Sequence, residues 1–135
     1  MRITKYQRVV SWLFGAVLLL GAFAVNAAEV EKVRIWLAPD HARLVFDLSG
    51  PAAHKVFTLD NPDRIVLDVE NSTLKADLER LGLDKSPVER IRSGKNGKTL
   101  RLVLDLKHGV RPKSFDLKPN QKYGHRLVLD LYEKE

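Results

Sequence analysis

One six-residue pattern occurs four times in this chain of 135 residues, and it restricts the possible folds more than any other feature. It runs basic, apolar, valine, apolar, aspartate, apolar, with copies at 43–48, 64–69, 101–106 and 126–131. Strict alternation of this kind predicts a β-strand with two unlike faces. Because burial of an unpaired Arg or Asp is costly, we expect the apolar faces to meet in a core. The faces that carry Arg, Val and Asp should then point outward.

The four copies belong to two repeat units, at about 30–70 and 87–132. The copies align at offsets of 58 and 62 residues, so the second unit has a loop four residues longer before its last strand. Upstream, Arg34-Ile35 aligns with Arg90-Ile91 at an offset of 56. Internal similarity of this kind indicates duplicated structural units.

Each unit is predicted to form four short strands and one sheet. The strands lie at about 32–37, 42–48, 55–59 and 64–69 in the first unit and at about 88–93, 99–106, 113–117 and 125–131 in the second. The apolar sides are expected to include Val33, Ile35, Leu37, Phe57, Leu59, Phe115 and Leu117. Between the units, at about 72–83, the leucines have helical spacing. The predicted fold class is all-β, a sandwich of two pseudo-symmetric four-stranded sheets with one short connecting helix over an open edge or end of the sheets.

Residues 1–27 have the layout of a secretory signal peptide. Arg2, Lys5 and Arg8 precede an apolar run, and small residues lead up to Ala28. The alternative is a retained membrane anchor, but the run is somewhat short for a span of ~20 residues. With no adjacent arginine pair, the Sec route is the simpler prediction. The remaining domain, 28–135, would contact a membrane only through the signal peptide before cleavage.

Charge is unevenly distributed along the exported part. Residues 28–85 contain 8 basic and 11 acidic residues, whereas 86–135 contain 12 basic and 6 acidic residues. A basic half favours an anionic partner, and nucleic acid is not expected for an exported protein. The chain has no cysteine, so an exported domain must be held by its core without disulfides.

Twelve side chains on the outer faces are the candidate ligand-binding residues. They are Arg34, Trp36, Arg43, Asp47, Arg64 and Asp68 in the first unit and Arg90, Arg92, Arg101, Asp105, Arg126 and Asp130 in the second. Arginine offers paired donors to carboxylates, aspartate accepts from hydroxyls or amides, and tryptophan stacks on sugar rings. The alternative is a solvated surface of cross-strand ion pairs, with the tryptophan tucked against the helix. The basic half favours the second sheet for an anionic polymer, whereas Trp36 favours the first.

No catalytic or metal-ligating residues are predicted. The four histidines, His41, His54, His108 and His125, fall in or beside predicted turns and lack a known ligand spacing. The strand aspartates each follow an arginine on the same face, which favours ionised carboxylates and not a general acid. We therefore expect a chain that is not an enzyme and has no cofactor of its own.

Three stretches resemble a known family. Arg-Leu-Val-Phe-Asp-Leu at 43–48, Val-Phe-Thr-Leu-Asp-Asn-Pro-Asp-Arg-Ile-Val-Leu-Asp at 56–68 and Gly-His-Arg-Leu-Val-Leu-Asp-Leu-Tyr at 124–132 are similar to the AMIN domain. This is the N-terminal module of periplasmic N-acetylmuramoyl-L-alanine amidases that split the septum in Gram-negative bacteria. The resemblance covers about 30–134, and the Asn-Pro-Asp-Arg stretch with its flanks is its most specific part.

The resemblance implies a β-sandwich, peptidoglycan binding, a periplasmic location and recruitment to the division septum. It also implies divisome or amidase-activator proteins as partners. In such amidases a zinc-dependent catalytic domain follows, so zinc is expected only in a domain beyond residue 135 and not in this chain. The alternative is a wall-anchoring module of an envelope assembly, because AMIN domains also occur in type IV pilus secretins.

Overall fold

The computed structural model describes residues 27–134, which form nine β-strands. They are β1 (Ala28–Leu37), β2 (His41–Leu48), β3 (His54–Leu59), β4 (Arg64–Val69), β5 (Ser72–Leu74), β6 (Val88–Asn96), β7 (Thr99–Leu106), β8 (Val110–Leu117) and β9 (His125–Glu133). None of these residues lies in a helix suited to crossing a membrane. The predicted signal peptide, apart from Ala27, lies outside the described residues.

The strands form two sheets packed face to face, and this confirms the predicted all-β sandwich. One sheet has five strands in the order β5-β1-β2-β9-β8, and the other has four in the order β3-β4-β7-β6. The prediction of two four-stranded sheets is therefore wrong by one strand. The extra strand is β5, which pairs in parallel with the start of β1.

Each sheet contains strands from both repeat units, so the expectation of one sheet per unit is wrong. β2 pairs with β9, and β4 pairs with β7, both antiparallel. Antiparallel pairing of two copies of the pattern sets Arg opposite Asp at both ends, as in Arg43 opposite Asp130. Any two copies satisfy this rule equally well. The partner is decided by the connections at 49–53 and 107–109, which carry the chain from one sheet to the other.

The core lies between the sheets, and most of it consists of the apolar residues of the four six-residue copies. Its fully buried side chains include Leu44, Phe46, Ile65, Leu67, Val69, Leu102, Leu104, Leu127, Leu129 and Leu131. Their burial confirms the predicted inward face of these strands. Each such side chain contributes ~1.5–3 kcal/mol to stability. Val33 is buried and Ile35 packs against the core. Leu37, however, is 48% exposed at the end of β1.

Four residues that were expected in the core lie on the outer faces. Phe57 is opposite Val66 in the β3–β4 ladder, and Phe115 is opposite Val128 in the β8–β9 ladder. Directly opposite residues share a face, so the two phenylalanines lie beside the Arg and Asp side chains. Leu59 and Leu117 follow them on the same faces, and Val56 takes the inward position in β3. The edge strands β3 and β8 lack the full pattern, so their sequences do not indicate which side faces the core.

The predicted connecting helix at about 72–83 is also wrong. Ser72–Leu74 forms β5, and the rest of the segment consists of turns and bends. A helix of this length has little stability of its own, whereas the edge of β1 offers backbone partners: the Lys75 and Ala76 amides both donate to the Val30 carbonyl. The leucines nevertheless share one buried side, as their spacing predicts. Leu74, Leu78 and Leu81 pack against the core.

The two units are related by an approximate twofold symmetry that exchanges the sheets. The ladder β1-β2-β9-β8 corresponds to β6-β7-β4-β3. Arg34 is opposite Val45, and Arg92 is opposite the equivalent Val103, so the true offset is 58 and not 56. Both β1 and β6 have an irregularity at the same place, between Val30 and Lys32 and between Val88 and Arg90. Under this alignment, Gly94 is the equivalent of Trp36.

Candidate functional site

The twelve candidate residues divide between two outer surfaces. We call the outer side of β1-β2-β9-β8 the first face; it carries Arg34, Trp36, Arg43, Asp47, Arg126 and Asp130. The outer side of β6-β7-β4-β3 is the second face; it carries Arg64, Asp68, Arg90, Arg92, Arg101 and Asp105. Each face therefore mixes residues of both units. The uneven charge of the two chain halves therefore does not become a charge difference between the faces, and it gives no reason to prefer one sheet as the contact for an anionic polymer.

A two-pronged ion pair crosses the centre of each face. Arg43 donates through Nε and Nη2 to the two carboxylate oxygens of Asp130, at 2.8 and 2.9 Å. On the second face Arg101 donates in the same way to Asp68, both at 2.8 Å. The Asp130 carboxylate is buried, whereas its arginine is 39% exposed. Fork-to-carboxylate pairs of this kind are strong and fix geometry, so these four residues stabilise the ladders.

A second equivalent pair joins the first two strands of each ladder. Arg34 donates to Asp47 through Nε and Nη2, both at 2.8 Å. Arg92 donates to Asp105 at 2.7 and 2.9 Å, and Arg90 adds a third bond of 2.7 Å. The predicted outward ion pairs therefore form between strands. Within the described residues, the arginine and the aspartate of one six-residue copy do not pair with each other.

The ion pairs determine the protonation of the carboxylates. The hydrogen bond from Arg92, with a further one from Arg90, lowers the pKa of Asp105 to about 2. The hydrogen bond from Arg101 lowers the pKa of Asp68. In return, the hydrogen bond that Arg34 donates to Asp47 raises the pKa of Arg34, and the hydrogen bond that Arg43 donates to Asp130 raises the pKa of Arg43. Both carboxylates with lowered pKa are ionised at neutral pH, which makes them unsuited to general acid catalysis.

Sequence reasoning missed the aromatic rings under the central arginines. The Arg43 guanidinium lies 5.5 Å from the centre of the Phe115 ring, and the Arg101 guanidinium lies 5.7 Å from that of Phe57. These are cation–π distances. The valines of the pattern are covered as well: Val45, Val66 and Val128 are buried although they point outward. Each outer face therefore has a small apolar layer beneath its arginines.

Two equivalent arginines differ from the others in their partners. Arg64 and Arg126 stand opposite Asp105 and Asp47 in the ladders, but those carboxylates are held by other arginines. Arg126 donates instead to the Gly124 and Lys118 carbonyls, at 3.3 and 3.1 Å. Within residues 27–134, neither arginine has a carboxylate within ion-pair distance. Both are therefore available to an external anion.

Arg64 lies beside a tight turn of the second face. It donates to the Pro62 and Asp60 carbonyls, at 3.0 and 3.4 Å. Asn61 has a φ of 56°, and the Asn61–Pro62 bond is cis. The carboxylates of Asp60 and Asp63 line the same shallow depression as Arg64, together with Lys134. The surroundings of Arg64 are thus partly acidic.

Arg126 lies in an aromatic environment on the first face. Its guanidinium is 5.0 Å from the Tyr123 ring, and Arg34 is 5.0 Å from the same ring and 5.2 Å from that of Trp36. Tyr123 belongs to the connection from Leu117 to Arg126, which contains four more residues than the equivalent connection from Leu59 to Arg64. Trp36 is 52% exposed. The predicted alternative for Trp36, packing against a helix, is wrong because that helix does not form.

These side chains surround a depression in the first face. Its volume is about 180 Å³, and it is lined by Arg34, Trp36, Arg43, Val45, Leu117, Tyr123, Arg126 and Val128. Arginines, aromatic rings and a few apolar atoms make a surface suited to a ligand with both a ring and a negative charge. The sequence shows the loop that carries Tyr123 as an insertion in the second unit, but the repeated pattern carries no signal for where that loop folds.

The described residues offer no metal centre. No group of three or more His, Asp or Glu side chains in 27–134 is placed to hold a metal ion. His54 contacts Ser114, with its Nε2 at 3.0 Å from the hydroxyl, where the edges of β3 and β8 meet. His41 stacks on Tyr132 with ring centres 4.9 Å apart.

Comparison with known proteins identifies the family of this sandwich. The family model described as "AMIN domain" matches residues 32–131. N-acetylmuramoyl-L-alanine amidase AmiC of Escherichia coli O6:H1 is 35% identical over 126 residues, which cover 87% of this chain and 30% of that protein. The protein of the same name from Neisseria meningitidis serogroup B is 34% identical over 133 residues, 93% of this chain and 32% of that protein. The chain thus spans about a third of these relatives, and it belongs to the AMIN domain family.

Proposed function

We propose that this chain is a peptidoglycan-binding module of a cell-wall N-acetylmuramoyl-L-alanine amidase. The observation that carries the proposal is a pair of arginine-rich outer faces on a domain whose relatives are such amidases. At the ladder positions, basic residues outnumber acidic ones six to two on the first face and five to two on the second. Peptidoglycan carries carboxylates on its stem peptides, which complement such faces.

The proposal includes place and partners. The signal-like residues 1–27 support export by the Sec route to the periplasm, and the likeness to amidases supports a role in septal cleavage and daughter-cell separation. Divisome or amidase-activator proteins would then be partners besides the wall. The chemistry itself would belong to a zinc-dependent domain of the kind found in such amidases. Both relatives are amidases, which favours this role over the anchoring of a secretin.

Co-sedimentation with purified sacculi tests the binding. We expect the full chain to pellet with sacculi and to remain in solution without them. A protein of similar size and charge that lacks the sandwich serves as the control. Equal pelleting of the two proteins would contradict the proposal.

A fluorescent fusion tests the location. We expect signal at the septum of dividing cells when residues 1–27 are present, and cytoplasmic signal when they are deleted. An even distribution around the envelope in dividing cells would contradict septal recruitment while leaving wall binding intact.

A further inference from the structure

The two outer faces share a framework but differ in what is left free on it. Arg43 and Arg101, with their carboxylates and phenylalanines, occupy equivalent positions and satisfy one another. Among the candidate residues, the arginines without a carboxylate partner are Arg126 on the first face and Arg64 on the second. In the part of the chain that the structure describes, the first face adds the exposed Trp36 and the half-buried Tyr123 close to its unpaired arginine, and Arg64 has no aromatic ring at cation–π distance. The equivalent of Trp36 on the second face is Gly94, which has no side chain.

We propose that the depression of the first face is a site for an acidic saccharide, with a sugar ring on Trp36 and a carboxylate on Arg126. This inference deepens the proposed function and rests on it. One side of the Trp36 ring faces the Arg34 guanidinium at 5.2 Å. Trp36 is 52% exposed, which leaves ring surface on which a pyranose can stack. Asp47 already neutralises Arg34, so Arg126 supplies the charge that attracts an anion.

The spacing of the two anchors determines the size of the ligand. Trp36 is opposite Arg43, and Arg126 is opposite Asp47, so the anchors lie two strands and four residues apart. At about 4.8 Å per strand and 3.3 Å per residue, their Cα atoms are roughly 16 Å apart. Long side chains that converge on one depression close much of that distance. The ring and the carboxylate should therefore belong to neighbouring units of one molecule.

The second face lacks this combination. Arg64 shares its depression with Asp60, Asp63 and Lys134, so two acidic residues offset the two basic ones there. Gly94 leaves that face without a stacking ring at the equivalent position. Arg64 and Arg126 therefore form a matched pair, with equivalent backbone positions and similar carbonyl partners but different surroundings.

Tryptophan fluorescence reports on the site directly. The chain has two tryptophans, Trp12 and Trp36, so a full chain with Trp12→Phe leaves Trp36 as the sole reporter. The probes are a peptide-free muramyl glycan with its lactyl carboxylate free, a disaccharide with its stem peptide, the free stem peptide, and neutral chitotriose. We expect the two acidic saccharides to shift the fluorescence. Chitotriose and the free peptide should bind at least about tenfold more weakly, since each lacks one anchor.

The two acidic saccharides distinguish the source of the carboxylate. Tighter binding of the peptide-free glycan would place the lactyl carboxylate on Arg126, and tighter binding of the disaccharide-peptide would place a stem carboxylate there. Both results support the site. Equal binding of chitotriose, or of the free stem peptide, would overturn it.

The matched variants separate this inference from the proposed function. We expect Arg126→Gln to weaken binding of the acidic saccharides and of sacculi about tenfold. Arg64→Gln, on the other face, should change the saccharide affinity that Trp36 fluorescence reports by less than twofold. Unfolding midpoints of both variants should stay close to that of the parent chain. If Arg126→Gln and Trp36→Ala bind sacculi normally, the site is wrong although wall binding stands. If the parent chain fails to bind sacculi, the proposed function itself is wrong.

Discussion

The first and second faces are built from the same parts, and their likeness shows which parts are structural. Each has a central arginine that donates hydrogen bonds to a carboxylate on the neighbouring strand and lies over a phenylalanine ring. Each has another arginine–aspartate pair toward its outer strand. The faces differ at Trp36 against Gly94 and in the loop that carries Tyr123. Residues repeated on both faces hold the sheets, and residues present on one face are free to give it a separate role.

The largest expected effect tests whether the halves of the core are equivalent. Leu67 and Leu129 occupy the same position in the two units and are fully buried. We expect Leu67→Ala and Leu129→Ala to lower the free energy of unfolding by similar amounts, ~2–5 kcal/mol each. Urea unfolding followed by circular dichroism measures both. A loss in only one variant would show that the twofold symmetry does not extend to packing.

The central ion pairs should differ in strength because they differ in burial. The Asp130 side chain is 2% exposed, and that of Asp68 is 13% exposed. We expect Asp130→Asn to lower the free energy of unfolding by about 1–3 kcal/mol, since the partly buried guanidinium of Arg43 loses its charged partner. In the same urea experiment, Asp68→Asn should lower the free energy of unfolding by a smaller amount than Asp130→Asn. The reverse order would mean that burial does not control the strength of these pairs.

Acid sensitivity should come in part from the second face. The pKa of Asp105 is lowered to about 2 in the folded chain, from an ordinary value of 3.8. Its ion pair therefore contributes stability above pH 3.8, which is lost as the pH falls from there toward about 2. Screening of the exposed arginines limits this contribution to about 1 kcal/mol.

Thermal unfolding between pH 5 and pH 2 measures the acid effect. Asp105→Asn should unfold with a weaker dependence on pH in that window, and the parent chain should show the steeper loss. Equal slopes in the two proteins would remove Asp105 as a source of acid sensitivity.

The substitution Gly94→Trp makes the two faces more alike and has the smallest expected effect on stability. Nothing lies within 4 Å of a Cβ atom placed on Gly94, and no positive φ is recorded there. Gly94→Trp should therefore change the free energy of unfolding by less than about 1 kcal/mol, toward greater stability if at all. It should also let the second face bind acidic saccharides measurably when combined with Arg126→Gln. No gain over Arg126→Gln alone would show that the aromatic ring is insufficient without the Tyr123 loop.

Most of the fold follows from the six-residue pattern, and most of the site does not. Alternation located the four central strands and their buried sides because each copy has unlike faces along its whole length. The edge strands β3 and β8 lack that contrast, and Phe57 and Phe115 were placed on the wrong side. The leucines of 72–83 have helical spacing, yet the free edge of β1 provides the hydrogen bonds that make β5.

From the sequence, Arg43 and Arg64 begin copies of the same pattern and appear interchangeable. The structure separates them: Arg43 is held by a buried carboxylate, whereas Arg64 has lost its opposite aspartate to arginines of β6. Charge reversal at Arg43 would therefore damage the sheet and would report poorly on binding. The arginines of β1 and β6, which bind Asp47 and Asp105, therefore decide which guanidinium of the central strands is left without a carboxylate.

The sequence by itself predicted a sandwich with arginine and aspartate outside, since facing sheets bury the apolar residues of each strand without burying charge. It also determined the family, through residues 32–131. Tertiary structure decided which units share a sheet, which arginines remain free and which aromatic rings stand beside them. Those outcomes depend on where the connections cross between the sheets and where a loop folds back. The repeated pattern cannot indicate them, because its copies are alike and would pair equally well in any combination.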